Sequence, residues 1–104
     1  MNIQFLGYQQ MLTTRVYGFR VINTLQQERM FELSIGNQLL EDNKFKIQDI
    51  PDLCFARLKS ELSIESEENV LPLDMSVTDA ELKKYIEVHY PSKVRRGTPF
   101  KPQS

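Results

Sequence analysis

Hydrophobic and polar residues alternate along three segments in the first third of the chain, which predicts three β-strands. The segments run from Asn2 to Tyr8, from Thr14 to Asn23 and from Arg29 to Ile35. Successive side chains of a strand point to opposite faces, so each segment can direct one apolar row into a common core. The rows are Ile3 and Phe5, then Tyr17, Phe19 and Val21, then Phe31, Leu33 and Ile35. Because short polar connections separate the segments, we expect neighbouring strands to pair antiparallel.

Apolar residues then recur at helical spacing in a segment that predicts a first helix from Pro51 to Leu62. Its apolar stripe is expected to consist of Phe55, Leu58 and Leu62, with Leu53 and Cys54 at the margins. Proline is tolerated in the first turn of a helix, and acidic side chains near the start can accept hydrogen bonds from free backbone N–H groups. We therefore expect Asp49 to cap this helix.

A second helix is predicted from Asp79 to about His89, with the clearest start signal in the chain. Thr78 and Glu81 have the spacing of a capping box, in which each side chain bonds to the other residue's backbone N–H. Apolar residues then recur at helical spacing, and Pro91 ends the pattern. The apolar stripe comprises Leu82, Tyr85, Ile86 and either His89 or Tyr90.

The segments between these elements are less regular. Residues 38–42 predict a helical turn or a bend, and residues 44–47 a fourth short strand. Residues 70–75 contain Pro72 and favour an edge segment, because proline cannot donate to a central ladder. The predicted fold class is therefore α+β: an antiparallel sheet of three to five short strands with two helices, at about 51–62 and 79–89, packed on one face.

Charge divides the chain into a single α+β domain over residues 1–91 and a basic tail over residues 92–104, which we expect to be flexible. The whole chain of 104 residues has a formal net charge of −1, but the tail contains four bases and no acid. Such a segment can bind phosphates or an acidic partner, with an aromatic ring as anchor. Its candidate binding residues are Lys93, Arg95, Arg96, Phe100 and Lys101. The alternative is a terminus without a binding role.

The second predicted strand carries a motif-like segment, residues 15–22. It resembles the longer RNP motif of RNA-recognition domains, whose aromatic side chains stack on bases. The fitting positions are Arg15, Tyr17, Gly18 and Phe19, whereas Val16, Arg20 and Ile22 depart from the motif. The motif of that family also lies on a third strand, not a second. The favoured interpretation is that Tyr17 and Phe19 are core residues of an amphipathic strand.

The chemistry available for catalysis is limited, since Cys54 and His89 are the single cysteine and the single histidine. A structural zinc site needs four such ligands, so we expect no metal, and the scattered glycines form no nucleotide-binding loop, so we expect no cofactor. A nucleophilic Cys54 remains an alternative. The single cysteine and the lack of a signal peptide or apolar span favour a cytoplasmic protein that does not bind membranes.

Two hypotheses about function follow from these patterns. The first is a small non-catalytic interaction module that binds a protein partner or itself through a sheet edge or the basic tail. The second is a binder of RNA or single-stranded nucleic acid that uses Arg15, Tyr17 and Phe19 together with the tail. A mildly acidic isoelectric point of about 5.8 argues against a duplex-DNA binder. Exposure of Tyr17 and Phe19 distinguishes the two hypotheses.

Overall fold

The computed structural model describes residues 1–90, which form one four-stranded mixed sheet and three α-helices, so the α+β prediction is confirmed. The strands are β1 (Asn2–Gln10), β2 (Thr14–Ile22), β3 (Glu28–Gly36) and β4 (Asp74–Ser76). The helices are α1 (Asn37–Asp42), α2 (Ile50–Ser63) and α3 (Asp79–His89). The predicted tail, residues 92–104, lies outside the described residues. None of the helices in residues 1–90 is long and apolar enough to cross a membrane.

The strands lie in the order β1-β2-β3-β4, so β1 and β4 form the two edges of the sheet. The first three strands pair antiparallel, as predicted, while β4 runs parallel to β3 and places Met75 opposite Leu33. The antiparallel connections are short hairpins, whereas residues 37–73 separate β3 from β4. A parallel neighbour requires such a long crossover, which here contains α1 and α2.

The core lies between one face of the sheet and the helices. Alternate residues of β2 and β3 point into it, and the apolar rows predicted for these two strands are buried. They are Tyr17, Phe19, Val21, Phe31, Leu33 and Ile35. The opposite face of the sheet presents mainly polar side chains, among them Gln4 and Glu32. On this face the Arg20 guanidinium of β2 donates a hydrogen bond to Gln4 Oε1 of β1. Helices therefore cover one side of the sheet only.

The prediction of a strand over residues 44–47 was wrong. Lys44 lies just after the C-cap of α1 and has a positive φ of 51°. This backbone conformation turns the chain. The Phe45 ring then packs against Tyr85 and Tyr90, with ring centroids 5.3 and 5.7 Å apart. A short 3-10 turn, Ile47–Asp49, leads into α2. Phe45 thus holds the approach to α2 against α3, whereas Ile47 is exposed.

Helix α2 spans the predicted segment, but its start and its buried face differ from the expectation. The backbone of Asp49 is itself helical, because the 3-10 turn continues into α2, and its side chain makes no capping bond. Leu53, Cys54 and Leu58 are buried, while the predicted core residue Phe55 is 36% exposed. The core-facing stripe is therefore rotated away from Phe55. The remaining buried residues of the stripe are Ile50 and Leu62.

Helix α3 begins with the predicted capping box. The Glu81 N–H donates to Thr78 Oγ1, and the Thr78 N–H donates to Glu81 Oε1 at 2.9 Å. Two backbone N–H groups that have no partner within the helix are thereby satisfied. The buried residues of its stripe are Leu82 and Tyr85.

Replacing Thr78 by alanine is expected to lower the free energy of unfolding by about 1 kcal/mol, because the first turn of α3 loses its cap. Urea-induced unfolding measures this difference. Thr24→Ala, which removes an exposed threonine hydroxyl in the β2-β3 loop, is the matched control. An equal midpoint for Thr78→Ala and the wild type would contradict the role of the cap.

One acidic residue of the loop after α2 is bound to the sheet. Both terminal nitrogens of the Arg29 guanidinium, Nη1 and Nη2, donate to the Glu65 carboxylate, at 2.7 and 2.9 Å. Glu65 also accepts a hydrogen bond from the Leu71 N–H at 2.7 Å. These bonds stabilise the ionised form, with Arg29 the largest cause, and they hold the pKa of Glu65 below its ordinary value. The loop after α2 is therefore anchored to β3 at this carboxylate.

Candidate functional site

The two edges of the sheet differ in how well they are protected against pairing with another strand. Strand β4 has three residues, follows Pro72 and includes the charged Asp74. Short length, proline and charge are features that commonly block an edge. Strand β1 has nine residues, and the chain contains no charged side chain and no proline between residues 1 and 14. The open edge of the sheet is therefore β1.

The hydrogen-bonding pattern of β2 shows which backbone groups of β1 face outward. The Asn23 N–H donates to Gln27 O at one end of the β2-β3 hairpin, and the Asn37 N–H donates to Thr13 O at the other. Odd-numbered residues of β2 therefore direct their backbone groups to β3, and the β1 residues opposite them direct theirs away from the sheet. These outward residues of β1 are Ile3, Phe5, Tyr8 and Gln10. We call these four residues, with their backbone groups, the β1 edge.

Two half-exposed aromatic rings lie on the β1 edge. Phe5 is 44% exposed and Tyr8 is 56% exposed, although both point to the same face as the core residues opposite them. The Phe5 ring lies 5.3 Å from the Phe19 ring, and the Tyr8 ring lies 5.3 Å from the Tyr17 ring, centroid to centroid. Phe5 and Tyr8 thus extend the aromatic core to the rim of the sheet, where they remain in contact with water.

Arg15 lies at one end of this aromatic row. Its guanidinium carbon is 4.9 Å from the centroid of the Tyr8 ring, within the range of a cation-π interaction. Its Nη1 donates to the Tyr17 hydroxyl at 3.3 Å. Burial is the largest cause that raises the pKa of the Tyr17 phenol. Arg15 therefore orients Tyr8 and satisfies the one polar atom of a buried ring.

A bulge interrupts β1 near its middle. The pairing with β2 shifts between Phe5 and Gly7, which leaves Leu6 without a partner. Gly7 has φ +123°, a conformation that side-chain-bearing residues rarely adopt. The bulge keeps Phe5 and Tyr8 on one face although their positions differ by three, an odd number. Without it, the alternation of a regular strand would place these two rings on opposite faces.

The residues predicted to bind nucleic acid on β2 do not form an exposed surface. Tyr17 and Phe19 are each 1% exposed, so their rings cannot stack on bases in this fold. Their burial supports the interpretation of this strand as core and corrects their placement among the binding residues. Of the predicted β2 residues, only Arg15 reaches the surface near the candidate site. The predicted tail residues lie outside the described part of the chain; they are Lys93, Arg95, Arg96, Phe100 and Lys101.

The sequence pattern did not identify Phe5 and Tyr8 as the exposed aromatic residues of the sheet. Phe5 was expected in the core, and Tyr8 was the end of the first predicted strand. Two signals could have identified them. The first strand of a meander has a neighbour on one side only, and the uncharged run over residues 1–14 lacks the charges that usually protect such an edge.

Cys54 does not have the accessible, readily ionised thiol that a nucleophilic cysteine needs. The thiol is fully buried, and its burial raises its pKa to about 12. His89 is on the exposed face of α3, where its ring stacks on Tyr85 with centroids 4.2 Å apart. Residues 1–90 also contain no cluster of three or more His, Cys, Asp or Glu side chains that could hold a metal ion.

Cys54 is accordingly expected to react with a thiol reagent at pH 8 at least about a hundredfold more slowly in the native protein than in urea, since thiolate is the reacting form. Labelling with a chromogenic disulfide under both conditions measures the ratio. Similar rates in the folded and unfolded states would show that the thiol is accessible.

A groove of about 510 Å³ lies between α2 and α3, lined by Leu53, Ala56 and Val88 among others. Its principal charged groups bond to each other: Arg57 Nε is 3.1 Å from Glu81 Oε2, and the same guanidinium donates to Ser76 O. Arg57 therefore serves to join α2 to α3 and β4.

Among the described residues, the β1 edge is therefore the best candidate for a functional site. Its free backbone groups can bind an extended chain, and its rings offer apolar contacts beside them. Comparison with protein-family models, with curated proteins and with solved structures found no match for the chain.

Proposed function

We propose that this protein is a small non-catalytic interaction module that binds a polypeptide by adding a strand to β1. The observation that carries the proposal is the nine-residue strand β1. Among the described residues its outer side pairs with no other strand, and it combines a lack of charged side chains with two half-exposed aromatic rings. In strand addition, backbone hydrogen bonds supply affinity and alternate side-chain contacts supply specificity. The β1 edge offers both.

The charge distribution favours a polypeptide over a nucleic acid at this surface. Residues 1–90 contain all fourteen acids of the chain but only nine of its thirteen bases. Nucleic-acid affinity depends on several cations aligned with phosphates. Beside the β1 edge the structure places Arg15, which lies over the Tyr8 ring.

Tyr8→Lys is expected to weaken polypeptide binding at least about tenfold, because it removes an aromatic contact and places a charge on the edge strand. The probe is a set of extended ten-residue peptides, selected from a displayed random library on the immobilised wild-type protein. Fluorescence anisotropy then measures their affinity for the wild type and for each variant.

Met30→Lys is the matched control. Met30 is 52% exposed and lies on β3, on the face of the sheet away from the helices. The Met30→Lys substitution should leave the affinity of the selected peptides unchanged. Equal binding of these peptides to both lysine variants would overturn the proposal. It would also be overturned if the wild-type protein bound neither a peptide nor another copy of the chain.

A further inference from the structure

We infer that the polypeptide bound at the β1 edge is the β1 strand of a second copy of this chain, paired antiparallel about a two-fold axis. This inference rests on the proposed function and names its partner. Four properties of the described residues support it: the symmetry of the outward backbone groups, the side chains that this symmetry brings together, the charge of the strand and the protection of the opposite sheet edge.

The outward groups of β1 are arranged symmetrically about the bulge. In an antiparallel two-fold pair, each residue of one strand faces its counterpart in the other at mirrored positions. Placing Phe5 opposite Tyr8 of the second copy also places Ile3 opposite Gln10 of the second copy. All four outward residues of both strands are then paired. The axis passes between Leu6 and Gly7. The bulge of one copy then lies opposite the bulge of the other, so the outward residues have the same spacing on both strands.

This register brings the exposed rings together. Phe5 and Tyr8 share one face of the sheet, so pairing creates two Phe-Tyr contacts that remove these half-exposed rings from water while they stay packed on Phe19 and Tyr17. Aromatic pairs of this kind contribute more than their buried area alone. Residues on one face of neighbouring antiparallel strands are close enough for such contacts. The half-exposed rings thereby become the centre of an interface.

Charge permits the two copies to approach along this strand. The chain as a whole has a formal net charge of −1, so little long-range repulsion opposes the association of two copies. No charged side chain occurs in residues 1–14, and pairing along β1 therefore sets no like charges opposite each other in the ladder.

The protected edge at β4 limits the assembly to two copies. Pairing through β1 produces one continuous eight-stranded sheet, and both of its outer edges are β4. These edges consist of three residues each and carry Asp74. An interface that uses the same strand in both copies is closed, and it leaves no open edge for further addition.

Sedimentation equilibrium of the full chain over a wide range of concentrations tests the inference. The wild type and Met30→Lys are expected to form dimers, and Tyr8→Lys is expected to shift to the monomer with at least about a tenfold higher dissociation constant. Tyr8 is more than half exposed, so the fold should tolerate the lysine, and circular dichroism of each variant checks this.

Cysteine cross-linking tests the register. A mixture of Phe5→Cys and Tyr8→Cys chains should form a disulfide between unlike chains, because paired residues bring their Cα atoms within the range that a disulfide spans. Phe5→Cys alone should cross-link far less, since its counterpart in the second copy is Tyr8. The wild type is the control, because its Cys54 is buried.

The outcomes separate this inference from the proposed function. A wild type that is monomeric at every concentration, or a dimer that Tyr8→Lys leaves intact, overturns self-pairing through β1. If selected peptides still bind the wild type and lose affinity for Tyr8→Lys in either case, the proposed function stands with a different partner. If those peptides also bind all variants equally, both proposals fail.

Discussion

Leu58→Ala is expected to lower the free energy of unfolding by about 2 to 5 kcal/mol, the largest stability effect among the substitutions considered. Leu58 is 0% exposed and lies on the core-facing stripe of α2. Its truncation removes buried apolar surface and leaves a cavity that neighbouring side chains fill only in part. Urea titration followed by circular dichroism measures the loss as a lower midpoint.

Phe55→Ala provides the comparison within the same helix. Phe55 lies three residues before Leu58 but is 36% exposed, so its truncation is expected to cost less than half as much. A larger loss for Phe55→Ala than for Leu58→Ala would mean that α2 buries the face predicted from its sequence periodicity. The two variants together therefore report the rotation of the helix about its axis.

Glu65→Gln is expected to lower the free energy of unfolding at pH 7 by roughly 1.5 to 3 kcal/mol, as is typical for hydrogen bonds to a charged group. The substitution removes the negative charge from a paired carboxylate and leaves the partly buried Arg29 without its ionic partner. Glu67→Gln, in the same loop at an exposed position, is the control and should have little effect.

The effect of Glu65→Gln should depend on pH in a defined direction. Since Arg29 and the Leu71 N–H hold the pKa of Glu65 below its ordinary value in the folded protein, the stabilisation is complete above that ordinary value. It is lost as the pH falls through the lowered pKa of the folded state. The difference between the wild type and Glu65→Gln should therefore shrink in acid. A difference that grows on acidification would contradict this assignment.

The regular elements could be predicted because local residues determine them. Alternating apolar residues specify β2 and β3, and the side chains of Thr78 and Glu81 specify the start of α3 within four residues of sequence. To predict which strands form the edges of the sheet, one needs these local patterns and also the order in which the strands pair. A meander of three strands leaves its first strand outermost unless a later element pairs with it, and here β4 pairs with β3.

Other features depend on contacts between distant segments and could not be read from spacing alone. Phe55 and Leu58 both fit the periodicity of a buried stripe, and only the packing of α2 against the sheet decides between them. Asp49 has the character of a cap, yet the preceding turn continues into the helix. The exposure of Phe5 and Tyr8 likewise depends on where the helices end their coverage of β1.

The long connection between β3 and β4 has a consequence for the order in which the chain folds. Contacts between segments close in sequence form faster than those between distant ones, so the β1-β2-β3 meander can form before β4 docks across residues 37–73. Few backbone bonds hold β4 in place, among them those from the Glu32 N–H to Leu73 O and from the Val77 N–H to Ser34 O. Local opening at β4 therefore costs less than opening of the meander, and it takes place at the edge of the sheet opposite β1. The surface proposed for recognition thus belongs to the part of the molecule that is built from contacts close in sequence, at the edge away from this opening.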